Sequence, residues 1–196
     1  MKRRTYLQLG AGIVLLGVLA WGVSRGLERL AGLQPASETA AEDPGVPGAS
    51  VARITATLYY GSADGRSLVP VRREVRLAEG LVPQGREILA MQLQAAPPPY
   101  VSVVPDGTVL RAFYVTDRGD AFVDLSPEAS SGHPGGSSTE LLTVYAIVNA
   151  VTANLPTIQR VQILIDGREA DTLAGHVDLR RPLQQDLSLV NEPKVE

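Results

Sequence analysis

Residues 137–156 read Ser-Ser-Thr-Glu-Leu-Leu-Thr-Val-Tyr-Ala-Ile-Val-Asn-Ala-Val-Thr-Ala-Asn-Leu-Pro, and this stretch decides how the folded part of the chain is built. Ser137 and Glu140 have the spacing of a capping box, in which each side chain satisfies a free backbone N–H of the other residue. Asn154 and Pro156 are typical of a helix end. The stretch predicts the strongest amphipathic helix of the chain, because apolar side chains recur at helical spacing on one face: Leu141, Val144, Tyr145, Val148, Val151 and Leu155, with Ile147 beside them.

Upstream of this helix, two segments alternate apolar and polar residues, as half-buried strands do. Asp64-Gly65 between them supplies the positive φ of a tight hairpin turn. Arg73 falls on the apolar side of the second segment, and an edge position or a bulge explains it better than a functional charge does. The inward sets are Ile54, Ala56, Leu58 and Tyr60 in the first strand, and Val69, Val71, Val75 and Leu77 in the second.

A second helix is predicted from Pro83 to Ala96, and the three prolines that follow end it because proline lacks the amide donor. A strand over Thr108–Thr116 comes next, and simple alternation places its Arg111 on the same face as Phe113. Asp117-Arg118-Gly119-Asp120 then turns the chain into a returning strand, residues 121–125.

A last hairpin follows the long helix, since residues 161–165 form a strand and Asp166-Gly167 forms a turn. The order of elements is therefore ββ-α-ββ-α-ββ. This order predicts an α+β fold, with two amphipathic helices packed on one face of a largely antiparallel sheet.

The N-terminus predicts a membrane anchor. The run from Tyr6 to Val23 is uncharged, mostly apolar and long enough to cross a bilayer core as a helix. The basic cluster before it stays in the cytoplasm, so the remaining chain is extracytoplasmic, or periplasmic, at the inner (cytoplasmic) membrane. Cleavage after Ala20, as in a secretory signal, is the alternative. The anchor residues are Lys2, Arg3, Arg4, Tyr6, Ile13, Leu16, Leu19, Trp21 and Val23.

The chain divides into four predicted segments. Residues 1–33 are the transmembrane signal anchor, and residues 34–50 are a disordered linker rich in proline, alanine and glycine. Residues 51–184 are the α+β domain, and residues 185–196 are a polar tail. The chain has no cysteine, which excludes both a lipidated N-terminus and a disulfide framework.

Composition excludes some functions. The net charge of −3 and the isoelectric point near 5.5 argue against a nucleic-acid partner, which attracts a basic surface. The sequence also predicts no cofactor and no small-molecule substrate, because it lacks a Gly-x-Ser-x-Gly nucleophile motif and a phosphate-binding Gly-x-x-x-x-Gly-Lys loop.

The histidines and aspartates are the candidate residues for metal binding or catalysis. His133 and His176 are far apart in sequence and are interpreted as surface residues, which leaves no predicted metal site. Asp117, Asp120 and Asp124 are close enough to suggest calcium, although Asp117 and Asp120 suit a hairpin turn better. A hydrolase, the weakest hypothesis, would have to draw on three aspartates that are better explained by turns and strand ends: Asp124, Asp166 and Asp178.

The order of motifs between residues 54 and 183 resembles the GerMN domain of sporulation and spore-germination proteins and of some envelope lipoproteins. Many relatives carry a lipidated cysteine at the N-terminus, and here the apolar run over Tyr6–Val23 takes its place. The motifs that carry the resemblance are Leu58-Tyr59-Tyr60, Val104-Pro105-Asp106-Gly107-Thr108, Ala121 to Ser126, Glu140 with Ile147 to Thr152, Val161 to Gly167, and Pro182-Leu183.

The resemblance implies a non-catalytic module that makes protein-protein contacts in the bacterial cell envelope, during sporulation, germination or envelope assembly. Together with the anchor, it predicts an envelope protein partner or self-association through a sheet edge or an open helix face. Binding of peptidoglycan or another ligand is the alternative hypothesis. The family brings no catalytic residues to this chain.

Overall fold

A computed structural model of the chain describes residues 51–191. The predicted anchor over Tyr6–Val23, with its flanking residues Lys2, Arg3 and Arg4, lies outside the described residues, as does the predicted linker 34–50. Within residues 51–191, no helix combines the length and the apolar character that are needed to cross a membrane.

The predicted α+β class is confirmed, and the predicted order of hairpins and long helices is found. A short helix, α2, is an addition that the sequence did not indicate. The described elements are β1 (Arg53–Gly61), β2 (Leu68–Arg76), α1 (Leu81–Gln92), β3 (Leu110–Val115), β4 (Asp120–Leu125), α2 (Glu128–Ser131), α3 (Ser137–Asn154), β5 (Arg160–Ile165) and β6 (Arg168–Glu169).

Strands β1 and β2 form a two-stranded antiparallel sheet whose register runs unbroken from the Arg53–Arg76 pair to the Gly61–Leu68 pair. Gly65 adopts the predicted positive φ in the turn between them. Arg73 lies opposite Ala56, and its guanidinium contacts the Met91 sulfur at 3.9 Å. Its edge position is confirmed, and the bulge proposed for it is absent from this pair.

The second sheet has the strand order β3-β4-β5-β6. Helices α2 and α3 return the chain to the start of the sheet, so β5 runs parallel to β4, while the other neighbours are antiparallel. The antiparallel character is therefore confirmed for most strand pairs, but the strands form two sheets and not one. The Asp166-Gly167 turn joins β5 to β6 with φ values of 53° and 75°, as predicted.

Helix α3 is more deeply buried than an amphipathic surface helix. It packs against β1 of the first sheet, β5 of the second and helix α1. Leu141 and Tyr145, on the predicted inward face, are only half-buried, whereas Ala146 and Ala150 are fully buried. Apolar residues around most of the helix therefore form the centre of the core.

The helix ends differ from the prediction. Helix α3 begins after Gly136 with no side-chain hydrogen bond at its cap, so the capping box of Ser137 and Glu140 is not formed. Helix α1 runs from Leu81 to Gln92 and not from Pro83 to Ala96, although Pro83 does lie in its first turn.

Helix α1 packs closely on β3 because Gly85 has no side chain. A Cβ atom on Gly85 would lie 2.2 Å from Cε1 of Phe113, closer than any real contact. This approach fixes the face of the second sheet that the helices cover.

The end of the chain contacts the first hairpin. The Leu68 N–H donates to the Leu189 carbonyl, and the Asn191 N–H donates to the Leu68 carbonyl, each at 2.8 Å. The predicted polar tail from residue 185 is thus attached to the domain over the part that the structure describes.

Candidate protein-contact surface

The second sheet has one face covered by helices and one face that the described residues cover only in part, since Gln162 and Asp124 are buried there whereas Tyr114 is exposed. Phe113 points at α1 and is 1% exposed, whereas the next residue, Tyr114, points the other way and is 60% exposed. Phe122 lies directly opposite Tyr114, and Leu164 lies opposite Asp124 on the same side. We define the exposed sheet face as Ala112, Tyr114, Phe122 and Leu164, of which Tyr114 is exposed and the other three are half-buried.

Strand β3 is also an edge of this sheet. It pairs with β4 on one side, and in the described part of the chain no strand pairs with its other side. An edge strand presents unpaired N–H and C=O groups that a partner strand can use. The exposed aromatic ring of Tyr114 therefore lies beside an unused row of backbone hydrogen-bonding groups.

A register shift in β3 sets one border of the exposed sheet face. The shift falls between Leu110 and Ala112 and leaves Arg111 as an extra residue in the strand. Simple alternation had placed Arg111 with Phe113, on the face that the helices cover. That assignment is wrong, because a bulge of one residue resets the alternation and turns Arg111 towards Asp124.

Arg111 joins two of the aspartates that the sequence singled out. The buried Asp124 carboxylate accepts the Gly167 N–H at 2.7 Å and lies 3.4 Å from the Arg111 Nε. Asp166 forms an ion pair with the same guanidinium. Because β4 and β5 are parallel, both carboxylates lie at the same end of the sheet. Because Arg111 forms ion pairs with both carboxylates, the cluster links the ends of β4 and β5 to β3.

The third hydrolase candidate, Asp178, has a different partner. It accepts two hydrogen bonds from the Arg180 guanidinium, at 2.9 and 2.8 Å, and one from the Arg180 backbone N–H at 3.0 Å. These bonds hold the pKa of Asp178 well below its usual range. The structure thus brings Asp124 and Asp166 together and gives Asp178 to an exposed ion pair.

The opposite border of the exposed sheet face carries a second ion pair. Asp120 receives two hydrogen bonds from the Arg160 guanidinium, at 2.7 and 3.1 Å. Asp117 is exposed in the β3–β4 turn, which the Gly119 N–H closes on the Thr116 carbonyl. The turn interpretation of Asp117 is confirmed. In the described range no three side chains are placed to bind a metal ion together.

The two histidines have separate partners at the start of α3. His133 is half-buried, accepts the Gly135 N–H on Nδ1 and lies 3.1 Å from the Thr143 hydroxyl through Nε2. His176 is exposed, and its Nδ1 lies 3.1 Å from Oε2 of Glu140. The prediction of a surface residue is confirmed for His176, while His133 packs more deeply than expected.

Glu140 has a role that sequence reasoning missed. Its carboxylate is fully buried and accepts backbone N–H groups from residues 173, 174, 176 and 177 at 2.8 to 3.2 Å. Burial raises the pKa of Glu140, but the hydrogen bonds from Ala174, Val177 and His176 outweigh it and hold the pKa below its ordinary value. Only its position in a helix preceding a polar segment could have hinted at this, because its partners are more than 30 residues away.

A shallow groove lies next to the start of β3. It encloses about 450 Å³ between α1 and residues 108–110. Arg86 and Glu87 line it on the helix side, and Val109, which is 56% exposed, lines it on the strand side. The groove brings another exposed apolar side chain close to the β3 edge.

Comparison with known proteins identifies the class. The family model described as "Germane: Sporulation and spore germination" matches residues 57–171. The chain therefore belongs to the sporulation and spore germination family of GerMN-related domains. No curated protein sequence gives a significant match.

Two solved structures share the fold at low sequence identity. The tandem GerMN domains of the sporulation protein GerM from Bacillus subtilis are 19% identical with a TM-score of 0.54, and the match covers 68% of this chain and 45% of that one. The first GerMN domain of the same protein is 18% identical with a TM-score of 0.50, and the match covers 68% of this chain and 96% of that one. This chain thus spans less than half of the tandem protein.

Proposed function

We propose that the chain is a non-catalytic, membrane-anchored module of the bacterial cell envelope, with its folded domain outside the cytoplasm. Its function is to make protein-protein contacts, with an envelope protein or with itself, through the exposed sheet face and the β3 edge. The observation that carries the proposal is the 60% exposure of Tyr114 on an edge strand whose outer side is unpaired in residues 51–191.

The layout of the exposed sheet face supports a protein partner. Aromatic side chains are enriched in the centre of protein interfaces, and charged residues are enriched at the rim. Tyr114 and Phe122 lie side by side across two strands, with the Arg111–Asp124 pair at one end and the Asp120–Arg160 pair at the other. A partner strand beside β3 would add backbone hydrogen bonds to this apolar contact.

The predicted anchor supports the location. The uncharged run over Tyr6–Val23, behind Lys2, Arg3 and Arg4, is long enough to span a bilayer, and the basic residues favour a cytoplasmic N-terminus. A reporter enzyme that is active only outside the cytoplasm, fused after Glu196, tests this placement. Activity is expected, and a cytosolic reporter would remove the envelope assignment.

Photocrosslinking in intact cells tests the contact surface. A photoreactive phenylalanine analogue at Tyr114 should capture a protein and give a band of higher mass. The matched control carries the same analogue at Ser138, an exposed position at the start of α3. Equal capture at both positions, or none at Tyr114, would contradict the proposed surface. Capture of peptidoglycan and no protein would favour the alternative ligand.

A further inference from the structure

The open end of the first hairpin carries apolar and basic side chains together. Val51 and Leu77 are 54% and 47% exposed, and Leu81, the first residue of α1, is 37% exposed. Arg53 and Arg76 lie directly opposite each other at the end of β1 and β2, and both are exposed. We call these five residues, which lie at the end of the hairpin opposite its turn, the hairpin tip.

The arginines of the hairpin tip repel each other. Like charges directly opposite on neighbouring strands destabilise the pair. Among the ion pairs of the described chain, none involves Arg53 or Arg76. Arg72 lies on the same face of β2, with Glu74 between it and Arg76, and Glu79 is exposed in the following loop. The face of the hairpin therefore carries a net positive charge that an external anion would offset.

The described residues leave the apolar side chains of the hairpin tip partly uncovered. The Leu77 N–H donates to the Ala52 carbonyl at 2.8 Å, so the backbone holds this end of the hairpin in place. Apolar side chains on one face and basic side chains on another are typical of amphipathic segments that lie in a membrane interface. The aliphatic groups enter the headgroup region, and the guanidinium groups bind phosphate.

The chain enters the domain at the hairpin tip. Residue 51 begins the described part, and the predicted linker 34–50 joins it to the predicted anchor. Val51, in the hairpin tip, is therefore the described residue that is nearest in sequence to the predicted anchor.

We propose that the hairpin tip docks on the anionic phospholipid headgroups of the membrane that holds the anchor. The inference rests on the proposed anchored, extracytoplasmic placement. Docking there fixes the orientation of the domain over the bilayer. Because each arginine near an anionic surface adds to membrane affinity, replacing both Arg53 and Arg76 should lower the ratio of docked to undocked domain on the order of 30-fold.

The test uses the full chain inserted in lipid nanodiscs. The chain has no natural cysteine, so Thr55→Cys, on the exposed face of β1 beside Arg53, accepts a single fluorophore. Headgroup-labelled quencher lipids report how close the fluorophore is to the bilayer. Discs contain either neutral lipid alone or about 30% phosphatidylglycerol. A second label position, Thr116→Cys, is exposed in the β3–β4 turn of the second sheet.

Strong quenching at position 55 in anionic discs only, lost in R53S/R76S and in about 0.5 M salt, is the expected result. The charge-matched control R118S/R168S, at exposed positions in the β3–β4 turn and in β6, should keep it. The variant L77S should weaken the quenching, and thermal unfolding checks that every variant is folded. Equal quenching in both lipids, at both label positions or in both charge variants overturns the inference. A chain that is not retained in discs would overturn the anchor itself, and the inference with it.

Discussion

The two faces of the second sheet are built from alternate residues of the same strands, yet they differ in how far their side chains are buried. Phe113 and its neighbours on one face are buried against α1 and α3, whereas Tyr114, the next residue along β3, is mostly exposed. The covered face contributes to stability, since burial of apolar surface is the main favourable term in folding. Under the proposed function, the exposed sheet face offers its apolar side chains to a partner. The difference predicts that substitutions on the two faces separate stability from binding.

The largest expected effect is that of Phe113→Ala on the covered face. Removing a fully buried ring beneath Gly85 leaves a cavity, and the free energy of unfolding should fall by about 3 to 5 kcal/mol. Chemical denaturation followed by circular dichroism measures it. A loss below about 1 kcal/mol would mean that α1 does not pack on this face as described.

Glu140→Gln should have the next largest effect, about 3 kcal/mol at neutral pH, because an amide NH₂ would face backbone donors. Since the folded-state pKa of Glu140 lies below its ordinary value, its contribution is present above the unfolded-state pKa and is lost as the pH falls through the folded-state pKa. The difference in the free energy of unfolding between the natural chain and E140Q should therefore shrink as the pH falls through that range. Denaturation series at several pH values measure this, and a constant difference would contradict the role of the carboxylate.

Asp124→Asn tests the ion pair between Asp124 and Arg111 at one border of the exposed sheet face. The substitution keeps one oxygen for the Gly167 N–H but removes the charge that pairs with Arg111, so we expect a loss of about 1 to 2 kcal/mol. The matched control is Asp178→Asn, whose ion pair with Arg180 is exposed to solvent and should matter little. If both variants behave alike in denaturation, the cluster around Arg111 does not tie the strand ends.

Tyr114→Ser should have the smallest effect on stability, within about 0.5 kcal/mol, because the ring is mostly exposed. The same variant should abolish crosslinking of the envelope partner from a photoreactive position at Phe122. Thermal unfolding and in-cell crosslinking measure the two properties on one variant. A variant that loses stability but keeps the crosslink would reverse the proposed division of roles.

Local patterns in the sequence predicted the elements well because their causes are local. The Asp-Gly pairs at 64–65 and 166–167 form the expected turns, since these residues tolerate positive φ. The alternation in β1 and β2 indicated most of their inward residues, but the inward assignment of Leu77 is wrong, because Leu77 lies just beyond the end of β2 and is 47% exposed. The bulge at Arg111 was missed because a single extra residue leaves no mark in composition, although it moves a charge from one face to the other.

The sequence predicted what kind of surface would make contacts but not where it lies in the fold. A sheet edge was named as a contact site, but the sequence could not select β3, because strand order depends on the crossover through α2 and α3. The same crossover makes β4 and β5 parallel and thereby brings Asp124 and Asp166 to one arginine. Contacts between residues that are more than 40 positions apart in the sequence, such as that of Asp124 with Gly167, cannot be predicted from hydrophobic periodicity.

By itself, the sequence determined the α+β class, the hairpin turns and the family, because side-chain alternation, turn chemistry and short motifs are properties of neighbouring residues. Only the tertiary structure decided that α3 lies inside the core between two sheets, that Glu140 holds residues 173–177, and that Tyr114 is exposed while Phe113 is not. These features depend on which surfaces pack against each other in the folded chain. The free energy of packing depends on those contacts, and the order of residues alone does not specify them.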